Sequence, residues 1–113
     1  MAVHAVGYAT TVGASSTTGN ILQGTLIERA PGPGKYTVWG RHAASAGTIV
    51  MDVYRGLEIL GRSVPMSAAA GAPNVNDDKL LEFGVAGGET IVVILRETAG
   101  TNTIPNIKVE FRS

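Results

Sequence analysis

The sequence has no cysteine, which excludes disulfides and thiolate metal sites and leaves the redox compartment unreadable. Charge is scarce as well: Asp, Glu, Lys and Arg make up 16% of the 113 residues, against roughly 25% in an ordinary globular domain. The charges balance at nine of each sign, so the basic footprint of a nucleic-acid-binding protein is missing and no nucleic-acid partner is expected. The same balance removes long-range self-repulsion, and a neutral, lightly charged surface is easily buried against another protein. No apolar run reaches the length of a membrane span. The stretch Met1–Val6 has neither the basic region nor the apolar stretch of a secretory signal, so neither a membrane partner nor export is expected.

What the chain does have is glycine and short apolar runs. Fifteen glycines and five prolines fall mostly between those runs, the punctuation of many short strands joined by turns. With 44% hydrophobic residues, a chain of this length can bury one core. The organising stretch is Gly87-Gly88-Glu89-Thr90-Ile91-Val92-Val93-Ile94-Leu95-Arg96. A two-glycine turn leads into five apolar residues, four of them β-branched, which favours a strand. The continuity of the run predicts a central strand covered on both faces.

Further strands are predicted over 35–42, 48–55 and 79–85, with a restart at 57–60 after Gly56. Residues 107–112 show the cleanest alternation, with Ile107, Val109 and Phe111 inward and Lys108, Glu110 and Arg112 outward. Residues 21–29 would place Ile21, Thr25 and Ile27 on one face if they formed a strand. The region 31–34 is a turn, because Pro and Gly in tandem cannot continue a ladder. Ala43–Gly47 reads as a small-residue turn and 66–78 as a long loop. The whole reads as an all-β, antiparallel β-sandwich, jelly-roll-like, of about seven to eight short strands. Residues 1–20, rich in small polar side chains, read as a flexible N-terminal arm with one short strand over Val3–Tyr8, either mobile or ordered on a neighbouring subunit. Residues 21–113 form a single β-sandwich domain.

The search for chemistry finds no catalytic constellation. Gly61-Arg62-Ser63-Val64-Pro65 comes near a nucleophile elbow but ends in proline. Gly32-Pro33-Gly34-Lys35 lacks the spacing and the following helix of a phosphate loop. His4 and His42 are far apart and lack metal-ligand spacing. Asn74, Asn76, Asp77 and Asp78 offer oxygens for calcium, without the spacing of an EF-hand. The expectation is therefore no catalytic residue, no metal site, no cofactor and no enzyme activity.

The candidate functional residues are those of an interface. In strand 35–42, Trp39 shares a face with Lys35, Thr37 and Arg41, and an aromatic beside an arginine often dominates an interface. The alternative is that Trp39 packs beneath a loop. Val50 and Tyr54, outward in strand 48–55, would extend the patch if the two strands pair as a hairpin. Trp39, Arg41, Val50 and Tyr54 are the expected interface, and Trp39→Ala is expected to weaken association more than folding.

The segments PGKYTVWGRH, GTIVMDVY, GGETIVVIL and IKVEF resemble, in pattern, small jelly-roll decoration (cementing) proteins of tailed-phage capsids. That resemblance covers about two thirds of the chain and carries no residue-by-residue assignment. It implies a structural virion protein on the capsid surface, assembled in the host cytoplasm, that binds across major capsid subunits. Its partners would be the major capsid protein and copies of itself, as a dimer or trimer. The absence of Lys and Arg from the first twenty residues favours decoration over a shell-forming coat role, which would need to neutralise packaged nucleic acid. The alternative is a carbohydrate- or ligand-binding β-sandwich module stacking sugars on Trp39 and Tyr54. One Trp, three Tyr and two Phe in the whole chain make thin provision for that.

Overall fold

The computed structural model describes residues 3–43 and 47–113; the turn expected over Ala43–Gly47 falls largely outside them. The strands are β1 (Val3–Tyr8), β2 (Gly34–His42), β3 (Ile49–Arg55), β4 (Glu58–Pro65), β5 (Ser67–Ala68), β6 (Lys79–Val85), β7 (Ile91–Glu97) and β8 (Pro105–Arg112). They form two sheets. In the first, the order is β1-β8-β2, and β2 is flanked on its other side by β6 and the short β5. In the second, the order is β4-β3-β7. All pairings are antiparallel except the two-residue contact of β5 with β2. This is the expected all-β sandwich.

The path between the sheets is that of a jelly roll. The chain starts in the first sheet with β1, crosses to the second along residues 17–30, and returns with β2. It crosses again for β3 and β4, returns for β5 and β6, crosses for β7 and ends with β8. The segment 17–30 takes the place of a regular strand at the outer edge of β7. Its backbone bonds run Thr18 N to Leu95 O, Ile21 N to Val93 O, Ile91 N to Glu28 O and Ala30 N to Glu89 O, between 2.8 and 2.9 Å. Where its own backbone turns away, the Asn20 side chain substitutes: its Oδ1 accepts from Val93 N and Leu22 N, and its Nδ2 donates to Ile91 O. The reading of 21–29 as a strand is therefore replaced by a chain of turns, yet Ile21, Leu22 and Ile27 are buried. Residues 12–30 lie along the sandwich, with Val12 buried and bridged to Thr103.

Side chains from the facing sides of both sheets fill the core. Tyr36, Val38, Ile107, Val109 and Phe111 come from the first sheet. Ile49, Met51, Val53, Ile91, Val93 and Leu95 come from the second. Period-two alternation placed Ile49, Met51, Val53, Ile107, Val109 and Phe111 inward and put Tyr36 and Val38 on one face, since successive strand residues point to opposite faces. Two expectations are corrected. Strands 35–42 and 48–55 do not pair as a hairpin: β2 pairs with β8, β6 and β5, while β3 pairs with β4 and β7 in the other sheet. The hairpin is instead β3–β4, turning at Gly56, whose φ of 60° suits a residue without a Cβ. And β7 is not covered on both faces. Ile91, Val93 and Leu95 are fully buried, but Val92 and Ile94, on the other face, are only half-buried.

Candidate functional site

The outer faces of the two sheets differ in kind. On the first, β2 contributes Lys35, Thr37, Trp39 and Arg41, and β8 sets Arg112, Glu110, Lys108 and Asn106 opposite them. This face is polar, and the loop after β5 lies across it. The Trp39 indole donates from Nε1 to Val75 O at 2.9 Å, and Lys108 Nζ sits 5.0 Å from its ring centre. Arg41 is tied to the same loop: its Nε donates to Asp78 Oδ2 at 2.9 Å and its Nη1 to Ala70 O at 3.0 Å. Asp78 also accepts from Asn74 N. That bond, with Arg41 behind it, holds its carboxyl below the usual range against the opposing effect of burial.

Trp39 is thus 7% exposed, folded beneath a loop of its own chain. The oxygens once available for calcium are largely committed. Asn74 Oδ1 accepts from Asn76 N and Asp77 N, and Asp78 is held by Arg41 and Asn74. Among the described residues no group of three or more His, Cys, Asp or Glu is placed to hold a metal ion. Trp39→Phe keeps most of the apolar ring but abandons the Val75 carbonyl. It is expected to cost about 1 kcal/mol in urea unfolding and to loosen the loop over 69–78. With the indole bonded to the loop at Val75 O, Trp39→Ala is expected to act on folding as well as on any association.

The outer face of the second sheet is the opposite case. Val50 and Tyr54 of β3 stand beside Arg96 and Val92 of β7, and Asp52 stands beside Ile94. On the other side, Tyr54 pairs with Ile59 of β4 and Val50 with Pro65. Leu57, at the tip of the hairpin, is fully exposed, and Ile59 is 50% exposed. Leu26, on the segment that edges β7, is 79% exposed. Among the described residues no hydrogen bond ties a loop across this face in the way that Val75 and Ala70 are tied across Trp39 and Arg41.

At its centre sits one ion pair. Arg96 Nε donates to Asp52 Oδ2 at 2.8 Å and Arg96 Nη2 to Ser63 Oγ at 2.5 Å, while Ser63 N donates to Asp52 Oδ1 at 2.8 Å. The Arg96 guanidinium, then the Ser63 amide, hold the Asp52 carboxyl below its usual range. The bonds to Asp52 also pin β4 where its register against β3 shifts, with Ser63 at φ 53°.

The structure therefore separates the four residues expected to act together. Trp39 and Arg41 lie on one sheet, covered by a loop. Val50 and Tyr54 lie on the other, on a half-buried, mainly apolar face with Ile59, Val92 and Ile94, which the sequence did not single out, around the Asp52–Arg96 ion pair. The signal for Val92 and Ile94 was present: a run apolar on both strand faces, in a protein with a single sheet-to-sheet core.

No family model and no curated protein matches the chain. Among solved structures, a chain of the cyanophage Pam1 capsid asymmetric unit is similar, with 11% sequence identity and a TM-score of 0.32, covering 96% of this chain and 80% of that chain.

Proposed function

We propose that this chain is a structural virion protein, a capsid decoration protein that docks the outer face of β4-β3-β7 on major capsid subunits. The observation that carries the reading is that face. An antiparallel sheet with one side in the core ordinarily turns a polar side to water. Here Val50, Tyr54, Ile59, Val92 and Ile94 are turned outward together, with Leu57 beyond them. Contiguous apolar surface of this kind marks a protein contact. The balanced charge of the chain and the jelly-roll path agree with the sequence resemblance to decoration proteins. The roles expected of Trp39 and Arg41 as contacts pass to Val92, Ile94 and Ile59, and Val50 and Tyr54 keep theirs. A non-catalytic role is part of the proposal, because the carboxylates with lowered pKa values are each held by an arginine or by backbone amides. As a sugar-binding module the chain would have Tyr54 as its one outward platform, since Trp39 is covered.

The test is co-sedimentation with shells assembled from the major capsid protein of the same genome. The wild-type chain is expected to pellet in fixed ratio to the shell subunit. Ile94→Glu, which places a charge in the middle of the face, is expected to lower the bound fraction roughly tenfold while the thermal melt stays near that of the wild type. A wild-type chain that remains in the supernatant would sink the reading.

A further inference from the structure

Among the described residues the sandwich has four outer edges, formed by β1, by β6 with the two-residue β5, by β4 and by β7, and three of them are guarded. The edge of β7 is closed by residues 17–30. On β4 the edge carries Glu58, Arg62 and Pro65, and its pairing with β3 is broken by register shifts. The β6 edge carries Lys79 and Glu82, with a register shift in its pairing to β2. Charges, prolines and bulges are the devices by which sheet edges refuse a further strand. Strand β1 has none of them. Its sequence VHAVGY holds no Lys, Arg, Asp, Glu or Pro. It pairs with β8 in six consecutive partners without a shift. Among the described residues its backbone bonds to β8 and to nothing else.

We infer that β1 is a self-association edge: two copies of this chain pair β1 against β1, antiparallel about a two-fold axis. Pleating restricts the register. Val3, Ala5 and Gly7 point to the outer face and His4, Val6 and Tyr8 to the inner. A two-fold axis perpendicular to the sheet keeps outer residues opposite outer ones and inner opposite inner, so odd positions pair only with odd and even only with even. The register centred on Ala5 sets Ala5 opposite Ala5 of the partner subunit and Val3 opposite Gly7 of the partner subunit.

Two features favour that register. Val3 is 46% exposed, an apolar side chain without cover. Above Gly7 there is room, since a Cβ there would meet only Ile107 O, at 3.9 Å. The room is part of a groove of about 470 Å³ lined by Ala5, Gly7, Ala9, Ala72, Pro73 and Lys108. Each Val3 of the dimer enters the groove of the other copy. No charge on β1 is brought against its like.

In that register five residues of each copy, Val3 to Gly7, face each other, a ladder only about 17 Å long. It falls short of the roughly 1,200 Å² of a stable interface, so the dimer belongs to the weak class and forms with rising concentration. The inference is independent of the virion reading, which rests on the opposite sheet.

Light scattering after size exclusion, at about 10 µM and about 1 mM, is expected to show the wild-type mass rising from monomer towards dimer. Ala5→Lys and Ala5→Glu each set like charges on the axis and are expected to weaken dimerisation at least tenfold. An equal mixture of the two restores it. Because the chain has no cysteine of its own, A5C is expected to give a disulfide-linked dimer on mild oxidation, which decides the matter if A5K fails to fold. A wild-type monomer at the higher concentration with no A5C cross-link overturns the inference. So does a dimer that A5K and A5E leave unchanged.

Discussion

Replacing Glu97 with alanine is expected to lower the melting temperature at pH 7 by roughly 10 °C or more, the largest loss from any single polar side chain in this protein. The carboxylate is 3% exposed and accepts five backbone N–H groups. Oε1 takes Ser15, Gly100 and Thr101; Oε2 takes Thr48 and Ala99, all at 2.7 to 3.0 Å. Three stretches of chain far apart in sequence meet on one side chain. Removing it takes the acceptor from five amides at once, and hydrogen bonds to a charged group are the stronger ones.

These amides, Ser15 foremost, hold the carboxyl well below its usual value, at about 2. A depressed carboxyl pKa stabilises the fold above its unfolded value and is lost as pH falls through the folded one. Wild-type stability should therefore fall between about pH 4.5 and 2. Glu97→Gln keeps the shape but turns an N–H₂ towards amide donors. It should be destabilised at pH 7 and show a shallower slope in that window. Asp52 and Asp78, also depressed, keep the slope from vanishing. Thermal melts across the pH series decide it: an E97Q curve parallel to the wild type would show that the five amides do not depend on the charge.

Tyr36→Ala is expected to cost about 3–5 kcal/mol in denaturant unfolding, and Tyr36→Phe about 1–2 kcal/mol. The ring is fully buried, stacked on Phe83 at 5.5 Å and edge-on to Phe111 at 5.4 Å. Its hydroxyl donates to Ile27 O at 2.7 Å, joining β2 to the irregular segment. Alanine opens a cavity; phenylalanine leaves a buried carbonyl without its donor. Burial also pushes the phenol up to about 12. A raised pKa gives stability that is complete below the unfolded value of 10.0 and disappears as pH rises through about 12. Tyr36→Phe should remove that alkaline dependence, which the same unfolding series at high pH would read.

Much of the fold was legible because strand side chains alternate. Ile107-Lys108-Val109-Glu110-Phe111 and Leu81-Glu82-Phe83 each declared a strand and its buried side. Residues 12–30 were illegible for the opposite reason. Val12, Leu22 and Ile27 are as buried as any strand residue, but turns put them there, and turns have no period to read. Asn20 shows the difficulty well: its amide supplies hydrogen bonds that a strand backbone would otherwise make. Strand order was beyond reach: a hairpin of 35–42 with 48–55 was one option, and β2 and β3 belong to opposite sheets.

The candidate site was half written in the sequence. Val50 and Tyr54 alternate outward as expected. Val92 and Ile94 were read as buried, because a continuous apolar run looks the same whether its second face meets another layer of this chain or is left for a partner. Trp39 was read from its charged neighbours, of which Arg41 is tied to the same loop that covers the indole. Glu97 gave no signal, since its donors are backbone amides brought from three places.

The pairing of β1 with β8 also decides how the molecule bears tension. Val3 lies opposite Arg112, so both ends of the described chain leave the first sheet at one corner. The hydrogen bonds between them run perpendicular to the strands. A pull between those two points loads the first bond alone, then the next, and β1 peels away like a zipper. The same strands pulled along their length would share the load across the whole ladder at once. This jelly roll is therefore mechanically soft at one corner and firm along its sheets.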